Sequence, residues 1–399
     1  MKSVLTILDC NNFWSPSGGG VRRYHLQKLE YFKQSPHQYI FMMQDKNSQT
    51  EKLNETTVIE HVNAFKFPGN WEYRFLTASG PIAKLIKKYN PDVIEVGSPY
   101  LMPLLVRRAI KKTGSHAQML SFWHADFPVT YVGRFFSKAG RQAGEIMTKL
   151  AWWYARMSFK KFSGYMVSSR YIANRMMNND IKPVFHVPLG VDTHLFNQDK
   201  KDPELIKELK AGKQERLTIF FPHRFMEEKG IRTLCEAYPE ICKRLPVEPT
   251  LVFAGTGPDL ALVKEMAARH KQVRYLGFIS SREEMARWYA SCEIGLALSG
   301  HETFGLSILE SMASGQVLVG ADTGAALEHV RDSGAGITIG IGDSRTLADA
   351  ICELAKKEKK TMADKAIAYA SQFTWEHCFK KEIETYQLVM KKDAGVPHA

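Results

Sequence analysis

Residues 299–320 read SGHETFGLSILESMASGQVLVG. The polar opening reads as a loop, the middle as a helix ended by Gly315, and QVLVG as a returning buried strand. Glu302 closes the loop, and Glu310 follows eight positions later inside the helix. Phe304, Gly305 and Leu306 are expected in the helix's first turn. Backbone N–H groups there lack intrahelical partners and carry the positive end of the helix dipole, so the spot suits an anion. Gly305 lets a ligand come close to the backbone. At ~1.5 Å per residue the two carboxylates lie about 12 Å apart along the axis, too far to act as an acid–base couple on one bond. They suit the two ends of an extended ligand with a phosphate in its middle. A nucleotide sugar has that layout.

Working outward, strands alternate with helices along the whole chain, which implies α/β architecture with parallel sheets covered on both faces. Ligands of such sheets sit at the strands' carboxyl ends. Several polar groups fall there. Gly18, Gly19 and Gly20 follow the first strand, Gly97 and Ser98 follow PDVIEV, and His124 follows AQMLSFW. In the second half LTIFFPHRF opens a new run of strands. Arg224 and Lys229 lie on the loop after it, in HRFMEEKG. The glycine loop is not the G-x-G-x-x-G dinucleotide fingerprint, so no NAD site is read.

The motif ETFGLSILESMASG, with its two Glu and its flanks, resembles the donor site of retaining glycosyltransferases of family 4. The resemblance covers essentially the whole chain and is strongest over 216–335. It implies the GT-B fold, two Rossmann-like domains facing each other across a cleft. The expected division is 1–195 for the acceptor-side domain, 196–216 for a polar linker, 217–372 for the nucleotide-sugar domain and 373–399 for a last helix returning to the first domain. The resemblance also implies roles. Glu302 and His124 orient the sugar, while Arg224 and Lys229 stabilise the diphosphate. Glu310 holds the ribose, and Phe278 and Ile279 lie where the base is held through backbone groups. Gly19, Gly20, Gly255, Thr303, Phe304, Gly305 and Leu306 complete the donor contacts. The family usually has Asn where this chain has Leu189, which removes any side-chain contact there.

The 399 residues suit about two domains. No apolar run approaches the ~18 residues of a membrane span. MKSVLTILDC reads as a first strand rather than a signal peptide, because Asp9 interrupts it. Six scattered Cys without a C-x-x-C pair fit reduced thiols better than disulfides or a zinc site. There is no Asp-x-Asp, so no cofactor and no catalytic metal are expected. The net charge of +12 is uneven: residues 1–190 hold 26 basic and 12 acidic side chains, the remainder 28 and 30. A polyanionic partner for the first half follows.

Residues 134–162 concentrate that charge. Seven Lys and Arg stand against Glu145 alone, interleaved with seven aromatics including Trp152 and Trp153. One reading is a pair of helices lying on an anionic membrane. The other is ordinary packing, with aromatics in the core and cations in water. Nucleic acid is not indicated, since no recognition motif accompanies the charge. The expected activity is transfer of a hexose from GDP-mannose or a UDP-hexose to a lipid or lipid-linked acceptor. That work would be done in the cytoplasm, peripherally at the membrane face. A soluble acceptor, an epimerase of the same fold and a non-catalytic scaffold are the rivals. Sugar, base and linkage are not legible.

Overall fold

A computed structural model describes residues 4–11, 19–66 and 74–393. Gly18 of the glycine loop lies outside them. The elements run β1 (Thr6–Cys10), α1 (Gly20–Lys33), β2 (Gln38–Asp45), β3 (Gln49–Lys52), β4 (Thr57–Asn63), β5 (Phe65–Lys66), β6 (Arg74–Phe75), α2 (Gly80–Tyr89), β7 (Val93–Val96), α3 (Met102–Thr113), β8 (Gln118–Phe122), α4 (Arg134–Ser137), α5 (Arg141–Ser158), β9 (Gly164–Val167), α6 (Arg170–Met177) and β10 (Val184–His186). The chain continues through α7 (Pro203–Lys210), β11 (Thr218–Pro222), α8 (Ile231–Arg244), β12 (Thr250–Ala254), α9 (Leu260–Arg269), β13 (Val273–Tyr275), α10 (Arg282–Ser291), β14 (Ile294–Ala297), α11 (Leu306–Ala313), β15 (Val317–Ala321), α12 (Gly324–Ser333), β16 (Gly336–Ile339), α13 (Ser344–Lys356) and α14 (Lys359–Ala370). It ends in α15 (Trp375–Asp393).

Two sheets result. The first has the order β10-β9-β8-β7-β1-β2-β4-β3 and is parallel except for β3 against β4. The second, β13-β12-β11-β14-β15-β16, is parallel throughout. Runs such as TLVFA and VLVGA are buried at every position because helices cover both faces. Each sheet has its own core. One gathers Leu8, Ile40, Ile94 and Trp123; the other gathers Phe221, Leu251, Leu296 and Val319.

The chain divides into two compact units, 1–188 with 375–399, and 189–374. The stretch 196–216, read above as a linker, is folded into the second unit. Asp202 caps α7 by accepting from the Leu205 N–H at 3.0 Å, and Pro203 follows at the first helical position. Leu205 and Leu209, four residues apart on one face, are buried. Lys210 Nζ reaches Glu293 at 2.9 Å. Two apolar residues in a charge-rich run were enough to dock it. Helix α15 packs on α1: Phe379 meets Tyr24 at 5.8 Å and Tyr31 at 5.2 Å between ring centroids.

Helix α11 starts at Leu306, later than expected, with Gly305 as its cap at φ +83°. That left-handed conformation cannot continue a helix, so Phe304 and Gly305 stand outside the first turn. The 12 Å spacing argued from helical rise therefore does not hold, since Glu302 lies before the helix.

Candidate active site

Strands β11 and β14 are parallel neighbours, so the loops at their carboxyl ends emerge side by side. The first loop carries His223, Arg224 and Lys229; the second carries Glu302. Lys229 Nζ donates to Glu302 Oε2 at 2.8 Å. Each side chain keeps about a quarter of its surface exposed, at 25% and 23%. The lysine thus stands within reach of the residue three before the cap of α11. The Lys229 ammonium is the main reason the Glu302 carboxyl lies below its ordinary value, outweighing the opposing effect of burial. The site holds a fixed ammonium, a fixed carboxylate and the amino end of α11 together, which suits an anion carrying hydroxyl groups.

His223, which the sequence reading passed over, is the third member. Its Nε2 donates to the Leu296 carbonyl of β14 at 2.8 Å, pinning the two strand ends together. Burial, and then the nearby Lys229 charge, hold its pKa down at about 4, so the ring is neutral. The only sequence signal was a histidine leaving a strand, in PHRF. His329 is a second such residue: its Nε2 donates to the Phe304 carbonyl at 2.6 Å, and the Phe304 ring is buried beside it. The Ala325 N–H donates to the Glu302 carbonyl at 3.0 Å. The backbone before α11 is therefore tied down on both sides of Thr303, which is half-buried.

Gly255, at φ +138°, lies against this loop. A Cβ there would stand 2.2 Å from the His223 carbonyl, so no other residue fits. Its N–H donates to the Gly277 carbonyl at 2.7 Å, which brings the turn before Phe278 to the same edge. Phe278 is 73% exposed, and Ile279 is buried. Arg224 is exposed, and among the described residues no ion pair of its side chain is present. Glu310 is buried within α11 and Leu306 is half-buried at its start.

His124, Gly19 and Gly20 belong to the first unit. Gly19 and Gly20 are exposed at the start of α1. His124 is half-buried, stacked on Phe122 at 4.5 Å and set edge-on to Tyr24 at 4.7 Å. Burial, with the charge of His25, keeps its ring neutral, well below the ordinary value. Beneath it lies a buried polar cluster that the sequence did not announce. Lys28 Nζ donates to both Glu95 oxygens at 2.9 Å and pairs with Glu382 of α15 at 2.9 Å and Asp9 at 3.4 Å. Tyr24 donates to Glu382 at 2.7 Å, and Tyr39 to Asp9 at 2.8 Å.

The aromatics of 134–162 divide. Trp152 is buried and stacked on Trp123 at 5.9 Å with the rings 1° apart, and Phe159 and Phe162 join the same core. Ile146, Leu150, Trp153 and Met157 form one exposed stripe along α5, at positions i, i+4, i+7 and i+11, and Phe135 of α4 is exposed as well. Lys149, Arg156 and Lys160 flank the stripe. Among the described residues no helix is long and apolar enough to cross a membrane.

Known proteins resemble the chain in sequence and in fold. The profile described as glycosyl transferases group 1 matches residues 216–357, and that of glycosyltransferase family 4 matches 18–195. A GDP-mannose-dependent alpha-(1-6)-phosphatidylinositol dimannoside mannosyltransferase of Mycobacterium tuberculosis is 24% identical over 96% of both chains. A GDP-mannose-dependent alpha-mannosyltransferase of Corynebacterium glutamicum is 21% identical over 96% of this chain and 88% of its own length. The crystal structure of Anabaena HepE with UDP superposes with a TM-score of 0.70 at 17% identity, covering 96% of this chain and all of that one. Matched in both halves and over nearly its whole length, the chain belongs to glycosyltransferase family 4, with the GT-B fold and the activity of a nucleotide-sugar-dependent hexosyltransferase.

Proposed function

We propose that the protein moves a mannose from GDP-mannose, with retention of configuration, to a lipid or lipid-linked glycan at the cytoplasmic membrane face. The observation that carries this is the Lys229–Glu302 pair beside the cap of α11. In this reading Lys229, Arg224 and the first N–H groups of α11 take the diphosphate. Its charge grows as the glycosidic bond breaks, so fixed cations stabilise that state more than the ground state. Glu302 and His124 hold the sugar hydroxyls, Glu310 the ribose, and the backbone near Gly255, Phe278 and Ile279 the base. Gly19 and Gly20 leave bare backbone for the donor's approach. The acceptor oxygen bonds to the anomeric carbon on the face that the diphosphate leaves, and the hydroxyl proton departs with the diphosphate. Positioning and charge do the catalysis, with no enzymic nucleophile and no metal in the scheme. The relatives named for GDP-mannose favour that donor over a UDP-hexose. The exposed stripe of α5 with its flanking cations favours an acceptor in an anionic bilayer.

The test is a panel of nucleotide sugars incubated with the protein and phosphatidylinositol-containing vesicles. GDP-mannose should give an alpha-linked product lipid. Glu302→Gln and Lys229→Ala should each lower kcat/KM by about a hundredfold or more while the protein remains folded at pH 7. Full activity in either variant rejects the assignment, and transfer that ignores the lipid rejects the acceptor.

A further inference from the structure

Cys242, Glu248 and His270 come together at the end of the second sheet away from the candidate active site. Cys242 is on the last turn of α8, Glu248 on the loop into β12, and His270 at the end of α9 before β13. All three therefore lie at the amino-terminal edge of the second sheet, opposite the edge that carries Lys229 and Glu302. Cys242 Sγ is 3.8 Å from Glu248 Oε1, and His270 Nδ1 is 3.6 Å from the same oxygen. The three ligand atoms all fall within 4.8 Å of one another.

We propose that this trio binds a zinc ion. A tetrahedral zinc with bonds of about 2.0–2.3 Å separates its ligand atoms by roughly 3.3–3.6 Å, a few tenths of an ångström less than the two spacings seen. Thiolate, imidazole and carboxylate are the donors that suit this borderline ion. The charges also balance: one thiolate and one carboxylate neutralise the dication, and His270 binds neutral. Without the ion, the Cys242 thiol donates its proton to Glu248. Zinc replaces that proton, forming the metal–sulfur bond and releasing one H+. Cys242 is the one cysteine of six that is not buried. His270 and Glu248 are 24% and 37% exposed, which gives the ion a path in and leaves its fourth position to water. Binding would tie the ends of α8 and α9 together across the foot of the sheet.

The full-length protein, freed of metal by a chelator, is titrated with cobalt chloride. One equivalent should give a thiolate-to-cobalt charge-transfer band, and zinc chloride should abolish it. Zinc should slow alkylation of Cys242 by about tenfold or more, whereas Cys242→Ser should give no band and His270→Ala should weaken cobalt and zinc binding at least about tenfold. Hexosyl transfer should be unchanged in both variants, so failure here is separable from failure of the proposed activity. Absence of the band in the wild type, or wild-type affinity in either variant, overturns the site.

Discussion

At the residue scale, the candidate site depends on which groups stay charged. His223 is neutral in the fold down to about pH 4, against an ordinary 6.5. Between those values the unfolded chain takes up a proton that the folded one refuses, so stability falls as pH drops through that window. Glu302 acts in the same direction at lower pH, because a lowered carboxyl loses its stabilisation as pH falls through the folded pKa. His223→Gln can keep a donor for the Leu296 carbonyl but does not titrate. Urea unfolding at pH 7 and pH 5 should show the variant losing less stability than the wild type, by on the order of 1 kcal/mol. An identical loss in both would mean that His223 is protonated freely in the fold. Lys229 and Glu302 could be singled out from their motifs. His223 and His329 could not, because a histidine is marked as a site residue only by the groups that surround it.

At the element scale, α15 is fastened by a charge cluster rather than by apolar packing alone. Lys28 of α1 is fully buried and faces Asp9 of β1, Glu95 of β7 and Glu382 of α15. These three carboxylates raise the Lys28 pKa against the pull of burial, while burial pushes the Glu382 carboxyl up to about 7. Lys28→Met should destabilise the protein by about 3–5 kcal/mol, since it leaves buried carboxylates without their counter-ion. Denaturant unfolding measures it, and a loss under about 1 kcal/mol would show that the cluster is neutral without the lysine. The family resemblance announced α15 as a last helix returning to the first domain. It said nothing of Glu382 meeting Lys28, because the pair is 354 positions apart and only the fold closes that loop. The same limit explains α7, where a charged composition concealed the single apolar pair that docks the helix.

At the scale of the whole molecule, the excess of positive charge lies in the first 190 residues. With the exposed stripe of α5, it predicts association with vesicles rich in phosphatidylinositol or phosphatidylglycerol, and weaker association with neutral phosphatidylcholine. Added salt should reduce it, since charges at the surface are screened beyond a Debye length of ~10 Å at 0.1 M. In co-sedimentation Trp153→Ala should release the protein without altering its unfolding. Trp152→Ala should instead lower stability, by about 3–5 kcal/mol, because that ring is core. Binding that is indifferent to salt and to Trp153→Ala would reject the membrane face.

The alternation of strand and helix, the paired Glu with their flanks, and the charge imbalance are properties of order along the chain, and the amino-acid sequence determined them unaided. Periodicity is local physics, so the α/β architecture needed nothing more. Which tryptophan faces water, which histidine pins two strand ends, where α11 begins, and which cysteine meets a glutamate and a histidine were decided by the tertiary structure. Burial and proximity between distant residues set those answers, and neither exists until the sheets have formed.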